Sequence, residues 1–270
     1  MWIKAREGGR LKVLAEYEIL RFDRINRAFE SLRRFVVFEE AIDAYINGDF
    51  YASFYCLPAQ IKELIVGHLL TEGIIDDVKD ILDIEVSGKK AYVKLPEDNL
   101  PASRRQRLVT TFCCGNIQSY FSRKVDKLRL NRMKFGAETI FKSIKALNKL
   151  SSLHKVSGGT HSAVLVNSDC SIISFAEDVS RHNAIDKVIG DAALREVDLT
   201  KLLLASTGRL TSEIVAKAIQ VGIPVLVSLA APTSLSLKIA SNFGLTLIGF
   251  ARGRYFNIYT FPERIEGAKD

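Results

Sequence analysis

The spacing of apolar residues changes along this chain, and the change divides it in two. Between Pro58 and Glu72 the positions Ile61, Leu64, Ile65, Leu69 and Leu70 recur at helical spacing, and Gly73 stands where a helix would end. Runs at Ala52 to Tyr55 and Ala91 to Val93 read as short strands, so this part predicts a small α+β unit. From Leu100 to about Phe135 the chain is polar, basic and weakly periodic, as expected of a connecting or mobile segment. After that the alternation becomes regular. A helix near Ala137 to Leu153 leads to strands at His161 to Val166 and Ser171 to Phe175, joined by the turn residues Asn167, Ser168 and Asp169. Helices are then expected from about Arg181, from Thr211 and from Thr233, alternating with strands at Leu202 to Ala205, Pro224 to Ser228 and Leu245 to Phe250. Strands separated by helices of 10 to 15 residues imply βαβ crossovers, hence a mainly parallel sheet covered by helices. The expected class is α/β, with an N-terminal α+β domain over residues 1–135, including the basic segment, and a second domain over 136–270.

In such a sheet ligands sit beyond the carboxyl ends of the strands, where strand-to-helix turns and helix N-termini gather. Three turns qualify: Ala176 to Asn183, Ala205 to Ser212 and Ser228 to Leu235. They carry the capping residues Ser180, Thr211 and Thr233, and the first two add Arg181 and Arg209. If the last strand is parallel to its neighbours, Phe250 to Tyr255 arrives at the same edge with Arg252 and Arg254. Arginines and helix N-termini on one rim point to a phosphate-bearing ligand; the alternative is arginines that merely dress a surface. On the helix after Ser180, His182 and Asp186 are i,i+4 neighbours outside the apolar stripe of Ile185, Val188, Ile189, Ala192 and Ala193. A carboxylate beside an imidazole suits binding or proton transfer. A capped helix in which the two residues satisfy one another is the plainer alternative.

The whole chain has 270 residues, 47% hydrophobic and 26% charged, which fits a globular protein and argues against a disordered or disulfide-stapled one. Its longest mostly apolar run, Ile223 to Ala231, is far short of a membrane span, and the opening residues lack the apolar centre of a secretion signal. A cytoplasmic protein without membrane association is the expectation. The net charge of +7 favours an anionic partner. Nucleic acid is the least favoured, because the charge is spread and no aromatic platform interleaves it. The sequence has no P-loop, no G-x-G-x-x-G, no G-x-S-x-G and no histidine or cysteine pattern of a zinc deaminase. No metal site is expected.

Cys113 and Cys114 are adjacent, with Arg104, Arg105 and Arg107 before them and Arg123, Lys124 and Lys127 after. Nearby cations favour the thiolate, the nucleophilic form. Adjacent Cα atoms lie about 3.8 Å apart, too close for an unstrained disulfide, so the pair is a poor staple. Either it is reactive, or two small side chains are simply buried. Cys56 and Cys170 are assigned to packing and to a turn.

At these residues the sequence resembles the formate dehydrogenase accessory protein family, FdhD/NarQ. The resemblance runs from about Glu39 and rests on Leu57 to Ile75, Ser157 to Ala163, Glu177 to Gly190, Ser206 to Ala218, Ala231 to Ala240 and Leu245 to Thr260. It implies a sulfur carrier that takes a persulfide sulfur from a cysteine desulfurase and passes it to the molybdenum cofactor, bis-molybdopterin guanine dinucleotide, to activate formate dehydrogenase. The family's reactive cysteine opens a C-G-x-C-G motif, matched here by Cys114, Gly115 and Asn116 and then broken by Ile117 and Gln118. Cys114 is thus the implied persulfide site and Cys113 a substitute partner. Ser180 also stands where the family usually has glycine. The implied site for the cofactor's guanine nucleotide, or for GDP as its mimic, comprises Phe250, Ala251, Arg252, Gly253, Arg254 and Tyr255, with Arg181, His182, Arg209 and Thr233 beside them. The resemblance further implies a homodimer and a C-terminal domain like the cytidine deaminase fold without its zinc. Two other readings stay open: a cofactor-binding chaperone with incidental cysteines, and a nucleotide hydrolase or deaminase using His182 and Asp186.

Overall fold

The computed structural model describes residues 13–96 and 128–268. The chain opens with an antiparallel ribbon, β1 (Leu14–Asp23) and β2 (Ala28–Val37). Then β3 (Glu40–Ile46), β4 (Asp49–Cys56), β5 (Asp83–Ser87) and β6 (Lys90–Lys94) form a sheet ordered β4-β3-β6-β5. Period-two alternation sends Ile42, Ala44, Ile46, Ala52, Phe54 and Cys56 inward. That inner face joins one apolar core with α1 (Ile61–Thr71), the helix expected from the sequence; Gly73 follows it in the left-handed conformation, as a chain reversal there requires.

The second sheet has the order β12-β11-β10-β9-β7-β8, built from β7 (His161–Val166), β8 (Ile172–Asp178), β9 (Leu203–Ser206), β10 (Val225–Ser228), β11 (Thr246–Arg252) and β12 (Tyr255–Ile258). On one face α2 (Ala137–Leu150) lays Ile140, Ile144 and Leu147 against Val164, Leu203, Val225 and Ile248. On the other, Leu165, Leu204, Leu226 and Leu247 meet α4 (Arg181–Leu194), α5 (Ser212–Gln220) and α6 (Ser234–Phe243). The class is α/β, as expected.

Two expectations need correction. The sheet is mixed rather than mainly parallel: only β9, β10 and β11 pair parallel, while β7 runs antiparallel to both neighbours and β12 to β11. The reason is local, since the short turns Asn167 to Ser171 and Gly253 to Arg254 can join only antiparallel strands. The helix expected to run to Leu153 ends at Leu150, because Ser151 leaves helical geometry; a short α3 (Ser152–Ser157) follows. No helix among the described residues is long and apolar enough to cross a membrane.

Helix α1 lies between the small sheet and α4, and the helix pair touches backbone to backbone. A Cβ on Gly67 would fall 1.8 Å from the Asp186 carbonyl oxygen, and one on Gly190 would fall 1.9 Å from that of Glu63. Glycine to alanine inside a helix ordinarily stabilises by up to ~1 kcal/mol. Here overpacking outweighs that gain: Gly67→Ala or Gly190→Ala is expected to destabilise by about 3 kcal/mol, read from the denaturant midpoint. A raised midpoint would contradict the close crossing.

Candidate functional site at the carboxyl rim of the large sheet

Strands β8, β9, β10 and β11 point the same way, so Asp178, Ser206, Ser228 and Arg252 end on one edge. Their turns are stitched side by side. The Ser228 hydroxyl donates to the Gly208 carbonyl at 2.5 Å, the Leu210 and Phe250 amides donate to Ala231 and Ala230, and Thr233 N–H returns to the Leu210 carbonyl. Each helix begins at this edge. Ser180 caps α4 by accepting from the His182 amide at 3.3 Å, and Thr233 and Ser236 form a reciprocal capping box on α6. Thr233 therefore spends its hydroxyl oxygen on the helix. Thr211 makes no such cap, and its Oγ1 is buried without a hydrogen-bond partner.

The rim gathers the residues predicted for it. Arg181 lies across Gly208, where a Cβ would fall 2.8 Å from Arg181 Cβ and Cδ, and its Nε is buried without a partner. Arg209, Arg252, Gly253, Arg254 and Tyr255 are exposed. The Arg252 guanidinium stands 5.6 Å from the centre of the Phe250 ring. Ala251 is fully buried beneath α2, so only its backbone faces the edge. Phe250 adopts φ 51 within an irregularity of the β11–β12 ladder, and Gly253 turns the hairpin at φ 61. Left-handed backbone at a bulky residue stores roughly 1 kcal/mol or more, a cost typical of ligand-gripping positions.

The pairing of His182 with Asp186 is overturned. His182 Nε2 instead lies 3.0 Å from Glu213 on α5. Asp186 is buried one turn deeper, accepting from Lys217 Nζ at 3.0 Å and Thr71 Oγ1 at 2.8 Å, with His68 Nδ1 at 3.5 Å. Helix α4 is covered on two sides, by the sheet and by α1, so a position outside its apolar stripe is still interior. Burial works to raise the Asp186 carboxyl, but Lys217 and His68 outweigh it and hold it below the ordinary value. Lys217 is correspondingly held up by Asp186 and Glu72 against its own burial. Glu213, Lys217 and His68 were missed in the sequence. The available signal was that α4 and α5 start from one edge and place Glu213 beside His182.

Burial, then Arg181 and Lys217, push the His182 imidazole below its ordinary 6.5, and burial with Arg181 does the same to His161, whose Nδ1 meets Thr207 Oγ1 at 3.2 Å. Unfolded histidines therefore take up protons first as pH falls. Stability should be complete above about pH 6.5 and decline below it, and His182→Gln should flatten that decline, as denaturation midpoints at several pH values will report. Burial pushes the Cys56 thiol up to about 12, leaving an inert side chain. Cys170 sits in the β7–β8 turn at φ 72. Cys113 and Cys114 lie outside the described residues.

Comparison with known proteins adds the lineage. The FdhD/NarQ family profile matches residues 37–266. The sulfur carrier protein FdhD of Wolinella succinogenes is 37% identical over 239 residues, covering 86% of this chain and 82% of that protein. The sulfur carrier protein FdhD of Saccharolobus solfataricus is 39% identical over 211 residues, with coverage of 77% and 80%. A crystal structure of a protein described as a formate dehydrogenase accessory protein, from Desulfotalea psychrophila, superposes with a TM-score of 0.77 at 24% identity and covers 94% of this chain and 99% of that one, which supports the same fold. By profile and by relatives aligned over most of its length, the chain belongs to the FdhD/NarQ family.

Proposed function

We propose that this protein is a sulfur carrier whose Cys114 thiolate takes the outer sulfur of a cysteine desulfurase persulfide and passes it to bis-molybdopterin guanine dinucleotide for formate dehydrogenase. In the first step Cys114 sulfur attacks the outer sulfur, a new S–S bond forms on Cys114, and the desulfurase thiolate leaves. The observation that carries the reading is the convergence of Arg181, Arg209, Arg252 and Arg254 with three helix N-termini on one edge, a site for a diphosphate-linked nucleotide. Phe250 and Tyr255 offer rings for a base, and the His182 imidazole, held at 3.0 Å by Glu213, stands at the same edge as a hydrogen-bonding group. The names of the relatives support the sulfur chemistry. The order of strands in the large sheet, with helices on both faces, fits the cytidine-deaminase-like reading of the C-terminal domain.

Chain geometry allows the two halves of the mechanism to meet. Arg264 ties the Leu128 carbonyl to those of Asn131 and Gly244, at the edge of the sheet opposite the rim. Fourteen peptide bonds separate Cys114 from Leu128 and span up to about 47 Å, whereas the seven residues of β11 cover roughly 23 Å. The basic residues flanking Cys114 favour its thiolate and an anionic cargo.

Titration calorimetry with GDP tests the rim. Arg252→Ala/Arg254→Ala is expected to weaken binding at least tenfold, since each lost charge-assisted contact is worth about 1.5–3 kcal/mol; an unchanged isotherm would contradict the proposal. A chaperone that holds the cofactor without transferring sulfur is the second reading. It is favoured by Ile117, which replaces the second motif cysteine, and it requires that a variant without Cys113 and Cys114 still activate the dehydrogenase.

A further inference from the structure

Helices α4 and α5 both start at the rim and run the same way, and two side-chain bridges join them. His182 is the second residue of α4 and meets Glu213, the second of α5, at 3.0 Å. One turn deeper Asp186, the sixth of α4, meets Lys217, the sixth of α5, again at 3.0 Å. Equal positions on the two helices are thus matched twice, which holds their first turns level. A slip of one helix by a single residue, about 1.5 Å, would stretch both bridges. A slip by a whole turn would set Asp186 against Glu213 in one direction and Lys217 against His182 in the other, and the ion pair is lost either way.

The deeper bridge is also held from the N-terminal part of the chain. From α1, Thr71 Oγ1 donates to Asp186 at 2.8 Å, and Lys217 Nζ donates to Thr71 at 2.9 Å and to Glu72 at 3.0 Å. His68 Nδ1 stands 3.5 Å from Asp186, and its Nε2 lies 3.0 Å from the Tyr51 hydroxyl. Tyr51 is the extra residue of a β-bulge, since Ala44 faces Ala52 while Tyr45 faces Phe50. A bulge re-aims a side chain, and this one turns Tyr51 toward α1. A polar seam therefore runs from β4 through the apolar core to the start of α4 and α5.

We propose that Asp186 and Lys217 are positioning residues for the ligand edge, setting α4 and α5 at equal height so that Arg181, His182 and the start of α5 face one ligand together, a role that rests on the rim holding a nucleotide. Stability does not account for the pair. Asp186 and Lys217 are 1% and 6% exposed, and an ion pair this deep gives up so much hydration that apolar side chains of similar size would stabilise as well or better. What apolar side chains cannot supply is register. They slide on one another, whereas Lys217 Nζ touches both Asp186 oxygens and fixes one alignment.

Asp186→Leu/Lys217→Met and Asp186→Asn/Lys217→Gln in the full chain test this, with GDP as the probe. The apolar double variant is expected to reach at least the wild-type denaturation midpoint yet bind GDP about fivefold more weakly; the amide pair, which can still bridge the helices, should bind within about twofold of wild type. Unweakened binding by the apolar variant, equal loss in both variants, or an apolar variant too unstable to fold would each overturn the proposal. A second readout needs no ligand. At about pH 8 a His182 bridged to Glu213 carries its proton on Nε2, so nitrogen NMR of the imidazole should show that single tautomer in wild type and a mixture in the apolar variant. A wild type that binds no GDP would sink the nucleotide reading of the rim, and the imidazole spectra then decide the positioning role: a mixture confined to the apolar variant upholds it, and identical spectra overturn it.

Discussion

Replacing Lys187 by methionine should destabilise the chain by about 3–5 kcal/mol, much of the 5–15 kcal/mol by which proteins of this kind are stable. Lys187 and Asp178 are both fully buried, with Nζ and Oδ2 2.6 Å apart. Around them Lys187 donates to the Leu57 carbonyl, Asp178 accepts from the Leu57 amide, and Asn183 bridges Asp178 and the Tyr55 carbonyl. The pair therefore grips the strand-to-helix joint of the N-terminal sheet from beneath the large sheet's rim. Methionine fills the space but leaves a buried carboxylate without its cation and the Leu57 carbonyl without its donor. Adding Asp178→Asn should recover part of the loss, because the uncompensated charge goes with it. Denaturant titration of the two single variants and the double variant checks this, and strictly additive costs would contradict it.

Replacing Cys114 by alanine should bring formate dehydrogenase activation to background in cells that depend on this chain. A persulfide needs a thiol placed to receive it: Cys114 opens the C-G-x motif and Cys113 does not, while Cys56 is buried with its thiol pushed up to about 12 and Cys170 is held in a turn. None of the three is expected to stand in for Cys114. Cys113→Ala is expected to retain most activity, because one thiolate suffices for a single persulfide. Dehydrogenase assays on cells carrying each variant decide the matter, and full activation by Cys114→Ala would contradict it.

Much of this architecture was legible in the sequence because the informative features are local. Ile61 to Leu70 at helical spacing with Gly73 after them, and the recurrence of Ser180, Thr211 and Thr233 before apolar periods, mark elements whose positions the structure keeps within a few residues. The three arginine-bearing turns reach one edge because strand direction follows from the crossovers. What stayed hidden depends on tertiary neighbours. Asp186 looked like a partner for His182 on one helix, but α1 and α5 bring Thr71, His68 and Lys217 closer. The position of β7 between β8 and β9 was equally hidden: the turn at Asn167 to Ser171 sets its direction against β8, but the strand on its other side is chosen by tertiary packing.

Intact mass after incubation with a cysteine desulfurase and cysteine tests the central claim most directly. The account predicts that wild type and Cys113→Ala gain one reducible sulfur, about 32 Da, and that Cys114→Ala gains none. No gain in the wild type with an active desulfurase, or an undiminished gain in Cys114→Ala, would contradict it.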